Sequence, residues 1–297
     1  MKIKPFSTFL FIIFLALSLC VITPKNTAKA KEMPFYNLHP SNVILRAEFC
    51  TDFSSSSIER KHNIALACKS IDNYFLDVGG EFSFNRVVGQ RTEKRGYKTA
   101  KIIFNGEFVD GVGGGVCQVS TTLYNAVLLS NLKITEYHPH SLAVSYVPAS
   151  FDAMVNSNTA DLRFINNTFN PVIIRAKAQN NKLKIQIWGE KLDVQVSTKS
   201  VITGTVLPPP HLEIVDEKGE FPDLYQGESK FTRYQKNGVK SEGYVLIKQN
   251  GKIIERKKIR TDTYSAIQGI LVHGTTPRPT PSNEDSLQKT CSPFCAQ

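Results

Sequence analysis

The sequence predicts an α+β protein: a mixed domain with a cysteine at a helix N-terminus, followed by a small all-β module. Three observations carry this reading. Apolar residues recur at helical spacing over residues 58–75 and again over 117–131. Period-two alternation takes over beyond His138, in LAVSYV, DLRFIN, PVIIRAKA and KLKIQIWG. Short strand-like runs broken by Gly and Asn-Gly turns then fill residues 211–273. With 41% of its 297 residues hydrophobic and 10% aromatic, the chain buries a real core, which excludes wholesale disorder. The length suits two domains of ordinary size. Lys and Arg outnumber Asp and Glu by 36 to 26, yet no basic stretch is interleaved with aromatics, so a nucleic-acid partner is excluded.

The elements follow in order. Lys2 and Lys4 precede an uncharged apolar run at residues 9–22, stopped by Pro24, and Ala28-Lys29-Ala30 offers a small-x-small exit. This predicts a secretory signal peptide over residues 1–30, with an uncleaved membrane anchor as the alternative. Leu19 is too large for the position before a lipidated cysteine, which argues against lipidation at Cys20. Cleavage removes four lysines and no acid, taking the net charge from +10 to +6. The protein is therefore expected outside the cytoplasm. Ser54 to Ser57 cap a helix carrying Ile64, Cys68, Ile71 and Phe75 on one face, and Gly79-Gly80 ends it. FSFN and AKIIF are extended, and Asn105-Gly106 turns the latter into EFVDG. The Gly-rich GVGGG leads into CQVSTTLYNAVLLSNL, where Val119, Leu123, Ala126 or Val127 and Ser130 mark a helix. Asn180-Asn181 reads as a hairpin turn. The first domain covers residues 40–197. Pro208-Pro209-Pro210 is a stiff boundary, the β-rich module covers 198–273, and the Pro/Ser/Thr-rich residues 274–297 form a flexible tail.

The chemistry concentrates at Cys117. Cys50, Cys68, Cys117, Cys291 and Cys295 are an odd set for an exported chain. Cys291 and Cys295 are close enough to bridge, and Cys50 and Cys68 either bridge or leave Cys68 as a core residue. Cys117 is the thiol left over. A cysteine in the first turn of a helix meets unpaired N–H groups that depress its pKa. Gly114 and Gly115 leave the backbone bare for a substrate, and the same N–H groups with Gln118 can hold an oxyanion. Ser120, Tyr124 and Asn125 extend this oxyanion or substrate-binding set along the helix, with capping or packing the alternative for Ser120. A thiol nucleophile needs an imidazole. His138 and His140 follow in YHPHS, and His140 is favoured because it directly precedes the strand-like SLAVSYV. Asp152 or Asp161 can orient the ring, giving the order cysteine, histidine, acid. A Cys117–His138–His140 zinc site lacks the paired close spacings of a structural site, so no metal and no cofactor are expected.

The string GGGVCQVSTTLYNAVL resembles the signature of the VanW family. RKHNIALAC, GGEFSFNRVVGQRTEKRGYKTAKIIFNGEFVDG, EYHPHSLAVSYVPASFDAMV and DLRFINNTFNPVIIRA extend the resemblance over residues 50–190. Gly79-Gly80-Glu81 stands where the family usually has Pro-Gly-Glu, and FDAMV replaces a more usual DATV or DAAV. Residues 211–273 resemble the C-terminal part of other VanW proteins and, more loosely, the five-glycine wall-binding domain. The resemblance implies an exported Gram-positive wall protein acting as an L,D-transpeptidase through Cys117. The histidine-glycine-cysteine run of YkuD-type L,D-transpeptidases is absent, which implies a convergent fold. The expected partners are peptidoglycan stem peptides and anionic wall polymers. A cysteine peptidase on the same stems, and a non-catalytic wall-binding or glycopeptide-resistance accessory protein, are the alternatives.

Overall fold

The computed structural model describes residues 43–279 apart from Asn105. The signal segment, Cys291, Cys295 and all but the first six residues of the tail lie outside the described residues. Strand β1 (Ile44–Asp52) leads to helix α1 (Ile58–Ile71), whose first turn is capped by the Ser57 side chain accepting from Arg60 N. Ile64, Ala67, Cys68 and Ile71 form its buried face. The helix stops short of Phe75, against the expected extent, because Asn73 adopts a left-handed conformation. Phe75 sits instead in β2 (Tyr74–Leu76), paired with Ile173. Next come β3 (Glu81–Ser83), a short helix α2 (Phe84–Val88), and the hairpin of β4 (Thr99–Phe104) and β5 (Glu107–Val112).

Helix α3 (Val116–Leu129) runs through the centre of the protein. The sequence offered an apolar stripe, whereas twelve of its fourteen residues are buried. A helix buried all round must satisfy its polar side chains internally. Ser120 does so on Ala153 O, Thr122 on Gln118 O and Asn125 on Thr121 O and Phe151 O. Two antiparallel sheets flank this core. One has the order β1-β9-β8-β2, with β8 (Val172–Gln179) and β9 (Lys182–Gly189) joined by left-handed Asn180 and Asn181. The other has the order β3-β7-β6, from β6 (Lys133–Glu136) and β7 (Arg163–Ile165). LAVSYV, expected as a strand, forms none: Leu142 and Val147 point into the core from an irregular segment.

Two further three-stranded sheets complete the described chain. Antiparallel β10 (Gln195–Val206), β13 (Gly238–Gln249) and β14 (Lys252–Tyr264) form one, in the order β10-β13-β14. In the other, β15 (Ile270–His273) lies between parallel β11 (Leu212–Val215) and antiparallel β12 (Ser229–Arg233). The β10-β13-β14 sheet has no core separate from the first part. Val245 belongs to the same buried cluster as α3, and Val196, Ile247 and Ile259 pack against it. Gly243 permits the approach, since a Cβ there would lie 2.9 Å from Ser150 O.

Candidate active site

Cys117 is the second residue of α3, after an N-cap at Gly115 with φ of +107° and no capping side chain. The glycines before it are required by the protein's own packing rather than left bare for a substrate, as the sequence suggested. A Cβ on Gly114 would stand 2.6 Å from Lys101 O in β4, and one on Gly115 would meet Arg60 and Ile64 of α1 at about 3 Å. The close fit of β4 and α1 aims the first turn of α3.

The structure brings Cys117, His140 and Asp152 together. The Cys117 thiol donates to Val155 O at 3.3 Å, and the His140 ring is the chief group favouring charge on its sulfur. Asp152 Oδ2 accepts from His140 N and Nδ1, at 2.7 Å each, which turns Nε2 toward the sulfur. Burial opposes a thiolate at Cys117, but the hydrogen bond and charge of His140, with smaller help from the Val155 backbone and Arg91, hold its pKa below the ordinary thiol value. Burial likewise opposes the imidazolium, yet Asp152 and Cys117 raise His140 to about 9. Asp152 stays below the usual carboxylate range against its own burial, through His140, Arg260 and Tyr264. The arrangement is a cysteine, a histidine and a carboxylate in series, whose charges favour a thiolate beside an imidazolium.

The other expected residues lie elsewhere. His138 turns to Glu136, 2.9 Å away, so no Cys117–His138–His140 metal set forms; among the described residues no group of three ligating side chains is placed to hold a metal. Asp161 accepts from Ser83 Oγ and Asn85 N, bracing the start of α2. Gln118 does not offer its amide to an oxyanion: Nε2 donates to Asp52 O at 2.8 Å and Thr51 Oγ1 at 3.1 Å, while the buried Oε1 has no partner. Ser120 and Asn125 are spent on the backbone bonds described above. Tyr124 is buried beside Arg260, and burial pushes its hydroxyl up to about 12. Cys50 and Cys68 are both free thiols, Cys68 lying in the core with its pKa pushed up to about 12 by burial.

Sequence reasoning missed several neighbours. Arg60, Arg91 and Tyr146 are all close enough to Cys117 to interact with its charge. Tyr264 Oη donates to Asp152 Oδ1 at 2.5 Å, and Arg260 donates to Asp152 O at 2.6 Å and to Oδ1 at 3.1 Å. These two stand more than a hundred residues from Asp152. The one local trace is IRTDTY, where Arg260, Asp262 and Tyr264 alternate on the buried face of an otherwise exposed, basic strand.

Residues 59–188 match the family described as "VanW like protein", and residues 198–276 match the family described as "G5 domain". The chain carries a VanW domain. Cys117, His140 and Asp152 all fall inside it, and Arg260 and Tyr264 fall inside the G5 match. Two curated relatives each match about half of this chain. The "Uncharacterized protein YoaR" of Bacillus subtilis (strain 168) is 42% identical over 166 residues, 53% of this chain and 55% of that protein. The "Vancomycin B-type resistance protein VanW" of Enterococcus faecalis (strain ATCC 700802 / V583) is 28% identical over 134 residues, 43% of this chain and 49% of that protein. The chain thus spans about half the length of each. Among solved structures, "IgA1 Protease G5 domain structure" is similar at 19% identity and a TM-score of 0.19, over 28% of this chain and 90% of that one.

Proposed function

We propose that the protein is an exported, wall-associated cysteine acyltransferase, an L,D-transpeptidase that crosslinks peptidoglycan stem peptides through a Cys117 thioester. The single observation that carries this reading is the grouping of Cys117, His140 and Asp152, in which Asp152 accepts from His140 Nδ1 at 2.7 Å and the His140 ring favours charge on the Cys117 sulfur. A wall setting is supported by the combination of VanW and G5 domains and by the resistance named for the Enterococcus relative. Among the described residues no helix is long and apolar enough to cross a membrane.

In the donor half-reaction the Cys117 thiolate attacks the stem-peptide carbonyl at an L,D-junction. The Cys117 backbone N–H is the donor for the oxyanion, since the N–H groups of Val116 and Gln118 are already taken by Gly113 O and Gly115 O. The C–N bond to the terminal D-residue then breaks, and the leaving amine takes its proton from His140 Nε2. A side-chain amine of a second stem attacks the thioester, gives a proton to His140, and the C–S bond breaks to restore the thiolate. Asp152 holds the imidazole in one tautomer throughout. Arg60 and Arg91 put positive charge beside the sulfur, which suits the carboxylate of the D-residue that leaves.

The test is incubation of residues 31–297 with purified tetrapeptide muropeptides, beside Cys117→Ala, with products read by mass spectrometry. Crosslinked dimers and released D-alanine that vanish in the variant are expected. Shortened monomers without dimers would make the protein a peptidase. No turnover, with a thiol that alkylates no faster than a free cysteine, would make it a binding protein.

A further inference from the structure

Asp152 is held from outside its own domain. Its Oδ2 serves His140, and its Oδ1 is taken by Tyr264 and Arg260 from β14, within the G5 match. Arg260 also donates to the main-chain oxygen of Asp152, so one guanidinium grips both the backbone and the carboxylate of the same residue. That guanidinium has no freedom of its own. It is 4% exposed, donates from Nε to Asp262 Oδ2 at 2.6 Å, and lies 4.7 Å over the Tyr137 ring. Tyr264 Oη accepts from Ser150 N at 2.8 Å, which leaves its single proton for Asp152. Ser150 is itself fixed in a left-handed conformation, with its hydroxyl 2.7 Å from that of Ser241 in β13. The G5 strands therefore clamp the segment carrying the acid at three points: Ser150, the Asp152 backbone and the Asp152 carboxylate.

Resting on the thiolate reading above, the geometry points to Arg260 and Tyr264 as positioning residues for the VanW site: the G5 domain completes the site by fixing Asp152, which orients His140 for Cys117. Without those donors one oxygen of a buried carboxylate is left without partners. The carboxyl then rotates or takes the proton it shares with His140, and in either case Cys117 loses its charged partner. The G5 domain is thus a working part of the VanW site as well as a candidate wall-binding module.

The experiment measures the iodoacetamide alkylation rate of Cys117 against pH, by peptide mass spectrometry on the purified full chain. Wild type is compared with Arg260→Met, Tyr264→Phe and Asp152→Asn, and with each G5 change combined with Asp152→Asn. A one-unit rise in thiolate pKa lowers the rate below that pKa about tenfold. Arg260→Met and Tyr264→Phe are each expected to slow alkylation at pH 6 by roughly that factor, and to add less than twofold when Asp152 is already Asn. Tyr264→Phe keeps the ring and the packing, so it carries the test if Arg260→Met does not fold. An unchanged pH profile in a folded variant overturns the inference, because a purely structural clamp would lower stability and leave the thiol alone. A loss that persists in the Asp152→Asn background also overturns it. A wild-type Cys117 that titrates as an ordinary thiol overturns the thiolate reading itself, so the two failures are distinguishable.

Discussion

Asp152 Oδ2 receives both the main-chain N–H and the Nδ1–H of His140, each at 2.7 Å. One oxygen thus sets the tautomer of the ring and the direction of the chain that carries it. Asp152→Asn offers an amide where the ring needs an acceptor. On the proposed mechanism its expected effect is a fall in crosslinking turnover of up to about 10⁴-fold, the loss seen when the acid of a Ser-His-Asp triad becomes an amide. Steady-state kinetics on muropeptides, with circular dichroism to show an intact fold, checks this. A loss below tenfold would mean that the carboxylate only holds the loop.

The site also predicts a pH profile. The proposed mechanism needs a protonated His140 to release the D-residue, and its raised pKa of about 9 keeps it so through neutrality. Activity is expected to fall above about pH 9, as the imidazolium is lost. On the acid side it falls where Cys117, held below the ordinary thiol value, takes a proton. The alkaline limb is the sharper test, because an unperturbed histidine near 6.5 would place the loss more than two units lower.

Gly115→Ala is expected to destabilise the protein by about 1–3 kcal/mol, combining left-handed strain with a Cβ driven against Arg60 and Ile64. Thermal or denaturant unfolding measures it. Because Gly115 aims the first turn of α3, crosslinking per folded molecule should fall as well. A variant with wild-type stability would show that α1 and α3 can separate at no cost.

Gln118→Ala separates the role the sequence suggested from the one the structure gives. With its amide tied to Thr51 and Asp52, its loss is expected to cost roughly 1–3 kcal/mol in stability. Turnover per folded molecule is expected to stay within threefold. A hundredfold loss of turnover with unchanged stability would return Gln118 to the oxyanion site.

What the sequence made legible here was local. Asn180-Asn181 sits at the hairpin turn between β8 and β9 because turn chemistry is written in two residues. The cysteine and its glycine run stood out for the same reason. The glycines' purpose was illegible, since only the position of β4 and α1 shows what a Cβ would strike. LAVSYV failed for another reason: alternation marks a half-buried chain, and here the burial comes from an irregular segment pinned by Met154 N on His138 O and Ser265 N on Ser141 O. The helical run at 58–75 was overrated at its end, where one left-handed asparagine outweighed the spacing. Arg260 and Tyr264 lie on a strand that reads as solvated and basic, and no spacing rule links them to an aspartate so far back in the chain.

The triple proline at 208–210 looks like the natural place to cut this protein or to exchange its second half for another. The packing of Gly243 against Ser150 makes it a poor one. A graft joined there would have to bring its own glycine at that position, a hydroxyl facing Ser150 and an arginine facing Asp152, or the seam would neither close nor stay dry. A chimera joined at that proline run is therefore expected to fold only when its two halves carry these groups as a matched set.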